Sequence, residues 1–333
     1  MFQTKITGVG HYVPEKIVSN HDLEKLMDTS DQWIQERTGI KERRFSEVQK
    51  KSTALMGVKA AKLAIERAGI NPKTIDAIIF STLSSDYFFP GSGVVLQHEL
   101  GLAPVPALDI RAQCSGFIYG LSVADQFIKT GMYKTILLVA SETQSVALDL
   151  TTRGRNMGVL FGDGAGAVVL QRSEDENKGI LSTHLHADGE FAEALSIKEP
   201  GTGHKEMIYP NMHENFMAIH PQMDGKFVFK NAIKRMPEVV MEALQANNLT
   251  VADIDMLLPH QANLRISQMV QKILQLPDDR IYNNIQSYGN TTSATIPIMM
   301  SELWEQKRIK DGQLYALTAF GSGFTWASAL IRW

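Results

Sequence analysis

The sequence predicts an α/β protein made of two copies of one helix–strand unit, with mixed sheets sandwiched between helices. In residues 52–83, apolar residues at helical spacing lead through a turn into the apolar strand Ile75–Phe80. Residues 231–262 repeat this order and end in the strand Ile254–Leu258. A strand that follows an amphipathic helix twice in the same way is typical of α/β folds.

A second pair of segments matches at the same offset. The alignment that superposes the two helix–strand units also places Lys134–Ser141 on Gln313–Phe320. Two matches in register at one offset indicate an internal duplication. We therefore predict two halves, residues 1–180 and 181–333.

Composition and charge exclude several classes of protein. The 333 residues carry a net charge of −3, and 44% are hydrophobic, as in ordinary globular proteins. This charge argues against general binding to nucleic acids or to a membrane surface. The chain has a single cysteine and shows no export signal and no apolar run long enough to span a bilayer. We expect a cytoplasmic protein.

Residues 183–230 interrupt the repeated pattern and are expected to form an irregular segment that covers the substrate. Turn-forming residues such as Pro200-Gly201 are frequent there. The segment also holds five histidines, His184, His186, His204, His213 and His220. Their spacing matches no compact metal-binding motif, so no metal site is predicted.

Cys114 is the first candidate catalytic residue. The apolar residues Ala107, Leu108 and Ile110 precede it, and an amphipathic run that begins at Phe117 follows it, so the thiol falls at a strand-to-helix junction. The helix dipole there is expected to favour the thiolate. The local context leaves two roles open, a nucleophile or a small buried apolar residue.

Three polar or glycine-rich loops follow the second copy of the unit. His260 comes at the end of the strand Ile254–Leu258, where α/β proteins gather catalytic groups, but the local context alone favours a hydrogen-bonded structural histidine. Asn290 lies at a helix entry and fits a turn or capping role as well. The turn Gly321–Gly323 is able to present backbone N–H groups to an oxyanion, or to form a plain hairpin.

Five sequence motifs, taken together and in this order, resemble those of a known family, although no single motif is specific to it. They are Ala112–Phe117, Phe161–Ala167, His260–Ile266, Tyr288–Ala294 and Gly321–Trp326. In this order they resemble the β-ketoacyl-acyl carrier protein synthase III family, over nearly the whole chain. The resemblance implies the thiolase fold, in which two duplicated α/β halves form a layered α-β-α-β-α arrangement.

The resemblance also implies a reaction and its residues. Cys114 matches the family's nucleophile, and His260 and Asn290 match its other two catalytic residues. The implied reaction is the decarboxylative condensation of an acyl-CoA, acetyl-CoA by default, with malonyl-acyl carrier protein. It initiates fatty acid synthesis. The backbone N–H groups of Cys114 and Ser322 match the oxyanion hole, and no permanently bound cofactor is implied.

Binding residues follow from the same resemblance. Trp33 and Arg155 match the pair that holds the CoA adenine, with Arg153 as a competing position, and Arg37 matches a phosphate contact. The docking surface for the carrier protein corresponds to Gln261, Arg265 and Lys230.

Phe89 matches the residue that one subunit of a homodimer inserts into the acyl pocket of the other, and an ordinary core position is its alternative.

Several alternatives stay open at this stage. A degradative thiolase is disfavoured because it needs a second cysteine, and the elongating synthases use a histidine where Asn290 stands. Residues 183–222 look longer than in the family's housekeeping enzymes. A homologue that uses longer acyl-CoA or serves a secondary-metabolite pathway is therefore an alternative. An inactive homologue that only binds CoA or the carrier protein is another.

Overall fold

Strands make up two large sheets and two small ones in a computed structural model that describes residues 2–203 and 205–333. The strands are β1 (Gln3–Tyr12), β2 (Ile17–Ser19), β3 (Glu42–Arg44), β4 (Ala77–Ser81), β5 (Ala107–Ile110), β6 (Thr135–Glu142), β7 (Gly164–Ser173), β8 (Gly179–Ala187), β9 (Leu195–Ser196), β10 (Gln222–Met223), β11 (Met256–Pro259), β12 (Leu314–Gly321) and β13 (Thr325–Arg332).

Helices separate and flank these strands. They are α1 (Asn20–Glu24), α2 (Asp31–Thr38), α3 (Ser52–Ala68), α4 (Ser92–Glu99), α5 (Gly116–Lys129), α6 (Arg155–Gly158), α7 (Phe216–Ile219), α8 (Gly225–Ala246), α9 (Leu264–Leu274), α10 (Ile285–Tyr288) and α11 (Thr295–Glu305).

The two large sheets are built in the same way. The first has the order β1-β7-β6-β4-β5 and the second the order β8-β13-β12-β11. In the first sheet, β7 pairs antiparallel with both β1 and β6, and β6 pairs parallel with β4. In the second sheet, β13 pairs antiparallel with both β8 and β12, and β12 pairs parallel with β11. The offset that superposes β6 on β12 also superposes Gly116, the first residue of α5, on Thr295, the first residue of α11. The predicted duplication is confirmed.

Three apolar cores lie between five layers. Helices α5 and α11 are buried between the two sheets. Helices α3 and α4 cover the outer face of the first sheet, and α8 and α9 cover the outer face of the second. Both sheets are thus covered on both faces, which explains why β4, β6, β11 and β12 are buried along their whole length rather than at alternate residues. The predicted α-β-α-β-α arrangement is confirmed.

Glycines in β1 allow the outer helix of the first half to pack closely. A Cβ atom at Gly8 would lie 2.1 Å from the carbonyl oxygen of Ala64, and one at Gly10 would lie 2.3 Å from that of Ala60. The backbone of β1 therefore contacts the backbone of α3 without intervening side chains.

Two predicted boundaries shift by a few residues. The strand predicted from Ile75 begins at Ala77, because a helical turn at Pro72–Thr74 precedes it. The second helix begins at Gly225 rather than near residue 231, because the side chain of Asp224 accepts a hydrogen bond from the backbone N–H of Phe227, at 3.1 Å, and caps it.

The irregular segment is shorter than predicted. Its first residues, including His184 and His186, lie in β8 and pair with β13, and its last residues lie in α8. The irregular part spans residues 188–224 and contains short helical turns and the small β9–β10 sheet. His204 lies outside the described residues. The prediction of 183–230 overlooked the strand because β8 alternates polar and apolar residues like an exposed edge.

Across residues 2–203 and 205–333, no helix has both the length and the apolar character needed to cross a bilayer.

Candidate active site

A cavity of about 890 Å³ opens where the two halves meet, and it brings the three predicted catalytic residues together. Cys114, His260 and Asn290 all line it. They come from a turn before α5, the end of β11 and a loop before α11. Equivalent ends of the two duplicated units thus supply the polar groups of one site.

Cys114 lies in a tight helical turn, Gln113–Ser115, directly before α5. Gln113 has a φ of 46°, which turns the chain sharply after β5. The thiol is 8% exposed, and the end of β12 packs against it. A Cβ atom at Gly321 would lie 3.0 Å from both the backbone nitrogen and the Cβ of Cys114. The absence of a side chain at Gly321 therefore leaves space for Cys114.

Burial of the Cys114 thiol opposes the effect expected from the helix dipole. Burial and the nearby charge of Glu142 raise the pKa of Cys114 to about 12. The dipole of α5 is the weaker influence here, because desolvation of a fully buried thiolate costs more than a helix end offers. Cys114 is a neutral thiol at neutral pH.

His260 has one ring nitrogen satisfied and one left free. Its backbone N–H donates to the carbonyl oxygen of Thr318 at 2.8 Å, which extends the pairing of β11 with β12. Its Nδ1 lies 2.8 Å from the hydroxyl oxygen of Thr295, whereas Nε2 is buried and has no hydrogen-bond partner among the described residues. Burial lowers the pKa of His260 to about 3, so the ring is neutral. A purely structural histidine would have both nitrogens satisfied.

Asn290 is held by its backbone and by its side-chain oxygen. Its N–H donates to Leu160 at 2.9 Å, and its carbonyl accepts from Gly162 at 3.1 Å. Its Oδ1 accepts a 2.8 Å hydrogen bond from the backbone N–H of Thr292. The amide nitrogen Nδ2 is then the donor left for a ligand in the cavity.

Glu142 is a buried carboxylate near the site that the sequence analysis did not single out. Five donors from both halves surround it: the hydroxyls of Thr82, Ser84 and Ser293, the backbone N–H of Leu83 and the side-chain amide of Gln144. The bond from Ser293 is 2.7 Å long. Burial raises the pKa of Glu142, and these hydrogen bonds oppose the shift. The sequence signal that could have identified Glu142 is its position as a charged residue at the end of the apolar strand β6.

The predicted oxyanion turn lies beside the nucleophile. Gly321 lines the cavity, and the hydroxyl of Ser322 donates to the carbonyl oxygen of Leu195 in β9. This bond ties the turn to the irregular segment. The N–H of Ser322 as an oxyanion donor stays a prediction.

Aromatic and guanidinium groups gather at the mouth of the cavity. Arg37 and Arg155 both contact the ring of Trp33, with guanidinium carbons 4.6 Å and 4.8 Å from its centroid. Trp33, Arg37 and Arg153 line the cavity. Arg155 instead donates to the carbonyl oxygen of Asp28 at 2.7 Å. The roles predicted for these residues in holding CoA stay predictions.

The predicted docking residues differ in accessibility. Arg265 on α9 and Lys230 on α8 are exposed, and Arg265 also lines the cavity mouth. Gln261 is 1% exposed. Its amide donates to Pro259 at 2.8 Å, and its oxygen accepts the backbone N–H of Ile285 at 3.1 Å. The prediction that the side chain of Gln261 contacts a carrier protein is therefore wrong. It joins the loop after β11 to α10.

Phe89 is not a core residue. Its side chain is 81% exposed, next to Phe88 at 66% and Tyr87 at 46%. These rings follow β4, whose neighbour β5 forms the edge of the first sheet. The alternative of an ordinary core position is wrong.

No group of three or more His, Cys, Asp or Glu side chains in the described part of the chain is arranged to hold a metal ion.

Comparisons with known proteins agree with this geometry. Family models described as 3-oxoacyl-[acyl-carrier-protein (ACP)] synthase III and as its C-terminal part match residues 108–189 and 244–333. The β-ketoacyl-[acyl-carrier-protein] synthase III of Psychromonas ingrahamii is 44% identical over 329 residues, and that of Escherichia coli O9:H4 is 45% identical over 329 residues. Each alignment covers 99% of both chains. The crystal structure of 3-oxoacyl-[acyl-carrier-protein] synthase III from Aquifex aeolicus VF5 is 40% identical, with a TM-score of 0.89, and the match covers 99% of this chain and 100% of that one.

Proposed function

This chain belongs to the 3-oxoacyl-acyl carrier protein synthase III family, and on that premise we propose that Cys114, His260 and Asn290 perform its condensation. The enzyme is an acyltransferase that joins an acyl-CoA to malonyl-acyl carrier protein and initiates fatty acid synthesis. The observation that carries the residue assignment is the cavity that all three line, together with the buried Nε2 of His260, which has no partner in residues 2–203 and 205–333.

In the first half-reaction, the sulfur of Cys114 attacks the thioester carbonyl of acyl-CoA. A new carbon–sulfur bond forms at Cys114, the bond to the CoA sulfur breaks, and the thiol proton leaves with CoA. The oxyanion of this step is assigned to the backbone N–H groups of Cys114 and Ser322. The packing of Gly321 on Cys114 supports that assignment, because it brings the turn to the nucleophile.

In the second half-reaction, malonyl-acyl carrier protein loses CO₂, and the electron pair of the broken carbon–carbon bond forms an enolate. His260 and Asn290 donate hydrogen bonds to the enolate oxygen. The enolate carbon then attacks the acyl carbonyl on Cys114, the carbon–sulfur bond breaks, and the Cys114 thiolate takes up a proton from water. Two neutral donors suit this task, since they stabilise negative charge without having to ionise. The low pKa of His260, about 3, supports a neutral ring.

Acyl-CoA and the acyl carrier protein approach from the cavity mouth in this proposal. Trp33, Arg37 and Arg155 bind the nucleotide end of CoA. Arg265 and Lys230 supply the positive charge that an acidic carrier protein needs, on a chain with a net charge of −3. Their exposure supports this role.

The working enzyme is proposed to be a cytoplasmic homodimer. Phe89 of one protomer limits the acyl pocket of its partner, and its 81% exposure in the single chain supports a contact outside that chain. A reduced lone cysteine fits the cytoplasm.

The test is condensation with acyl-CoA substrates of graded length in the presence of malonyl-acyl carrier protein. We expect 3-oxoacyl-acyl carrier protein, with acetyl-CoA as the best primer. A preference for longer acyl chains would mean that a longer acyl-CoA, rather than acetyl-CoA, is the primer. Acylation without condensation, in the presence of an intact carrier protein, would contradict the function.

A further inference from the structure

Arg153 is held at the mouth of the cavity by two neighbours. Its Nε donates a 2.9 Å hydrogen bond to Oδ2 of Asp149. Its guanidinium carbon lies 3.9 Å from the centre of the ring of Phe216. A guanidinium stacked on a ring and paired at one nitrogen has a fixed plane and direction.

The outer edge of this guanidinium is free to bind a ligand. Neither terminal nitrogen of Arg153 has a hydrogen-bond partner among the described residues, and the side chain is 61% exposed. Arg153 and Phe216 both line the cavity that holds Cys114. Two parallel N–H donors in one plane match the oxygens of a phosphate group.

We propose that Phe216 is a positioning residue for acyl-CoA binding, which holds Arg153 so that its terminal nitrogens bind a phosphate of CoA. This inference rests on the proposed use of acyl-CoA. It assigns part of the irregular segment 188–224 to binding the nucleotide end of the substrate, whereas the sequence suggested only a cover for the substrate.

The segment itself is anchored next to Arg153. Nδ1 of His220 lies 2.8 Å from the carbonyl oxygen of Ala147, and the rings of His220 and Phe216 are 5.0 Å apart. Ala147 belongs to the same stretch of chain as Asp149. Both partners of Arg153 are thus fixed to one surface, which reduces the entropy lost when a phosphate binds.

Arg155 offers a contrast within the same stretch. Its guanidinium already donates to Asp28 and contacts Trp33, and it does not line the cavity. Arg153 is therefore the arginine of this pair that faces an incoming anion.

Calorimetric titration of CoA into the full-length enzyme tests the proposal. We expect Phe216→Ala to weaken CoA binding about fivefold, the size of a lost cation–π contact, and Arg153→Ala to weaken it about tenfold or more. Phe216→Tyr keeps the ring and should bind like the wild type. Met217→Ala is the matched control, because the neighbouring Met217 is 62% exposed and does not line the cavity.

Two further measurements separate positioning from general damage. In an Arg153→Ala background, Phe216→Ala should have no additional effect, because the ring acts through the guanidinium. With acetyl-pantetheine, which lacks the nucleotide phosphates, Phe216→Ala should acylate Cys114 at the wild-type rate.

Equal losses with acetyl-CoA and acetyl-pantetheine, or unchanged CoA affinity in Phe216→Ala, would overturn the proposal. Because CoA binding is measured without malonyl-acyl carrier protein, a failure of condensation would contradict the proposed function and leave the binding result interpretable.

Discussion

The Nδ1 atom of His260 lies 2.8 Å from the hydroxyl oxygen of Thr295, the first residue of α11. The same hydroxyl lies 3.1 Å from the carbonyl oxygen of Thr292, which is a second acceptor for its single proton. His260 lines the cavity, and its Nε2 has no hydrogen-bond partner among the described residues. The contact with Thr295 thus holds the imidazole ring at the cavity and leaves Nε2 for the substrate.

Replacing Thr295 by valine should impair condensation. The change keeps the shape of the side chain and removes the hydroxyl, so the ring loses the hydrogen-bond partner that holds it in place. We expect the condensation rate to fall about tenfold, as for a lost buried hydrogen bond. Thr295→Ser should retain the wild-type rate. An equal loss in both variants would show that packing, rather than the hydroxyl, matters.

The reactivity of Cys114 towards iodoacetamide should rise steadily with pH. Its pKa is raised to about 12, so the reactive thiolate is the minor form and increases with each unit of pH below that value. The measurement is the alkylation rate of the enzyme without substrate between pH 6 and 10, with Cys114→Ala as the blank. A rate that levels off near neutral pH would mean that the helix dipole outweighs burial.

Gly321→Ala should slow both half-reactions. Its Cβ would lie 3.0 Å from the backbone nitrogen and the Cβ of Cys114, so the nucleophile or the end of β12 must move. A displacement of this kind costs up to about a hundredfold in rate. Gly225→Ala is the control, because its Cβ would meet only the end of Met223 at 3.6 Å, within the same cavity. Normal acylation by Gly321→Ala would contradict the tight packing.

Gly8→Ala should destabilise the fold without changing the site directly. The added methyl would lie 2.1 Å from the carbonyl oxygen of Ala64 and 2.6 Å from the backbone nitrogen of Ala68, so α3 must move away from β1. We expect a loss of about 3 kcal/mol in the free energy of unfolding, measured by urea denaturation. Gly189→Ala, which meets nothing within 4 Å, should be neutral. Equal stability of the two variants would refute the close packing.

The sequence predicted the parts of the site that have local signals. Cys114, His260 and Asn290 each follow an apolar strand or precede a helix, and such junctions are visible in the order of residues. The duplication was visible for the same reason, since β6 and β12 have matching apolar runs at one offset.

Contacts between distant residues left no such signal. The hydrogen bond from Ser293 to Glu142 joins the two halves, and the ring of Phe216 meets Arg153 through an irregular segment without periodicity. The effect of burial on the pKa of Cys114 left no local signal, because burial is a property of the whole fold. The burial of Gln261 left no local signal because the backbone N–H groups that its side-chain oxygen accepts, those of Asn284 and Ile285, lie more than twenty residues away.

Intact-protein mass spectrometry of His260→Ala and Cys114→Ala tests the assignment of the catalytic residues most directly. Each variant is incubated with acetyl-CoA and then with malonyl-acyl carrier protein. We predict that His260→Ala gains one acetyl group and keeps it without forming product, whereas Cys114→Ala gains none and forms none. Condensation by Cys114→Ala at the wild-type rate, or release of the acetyl group as product by His260→Ala, would contradict the account.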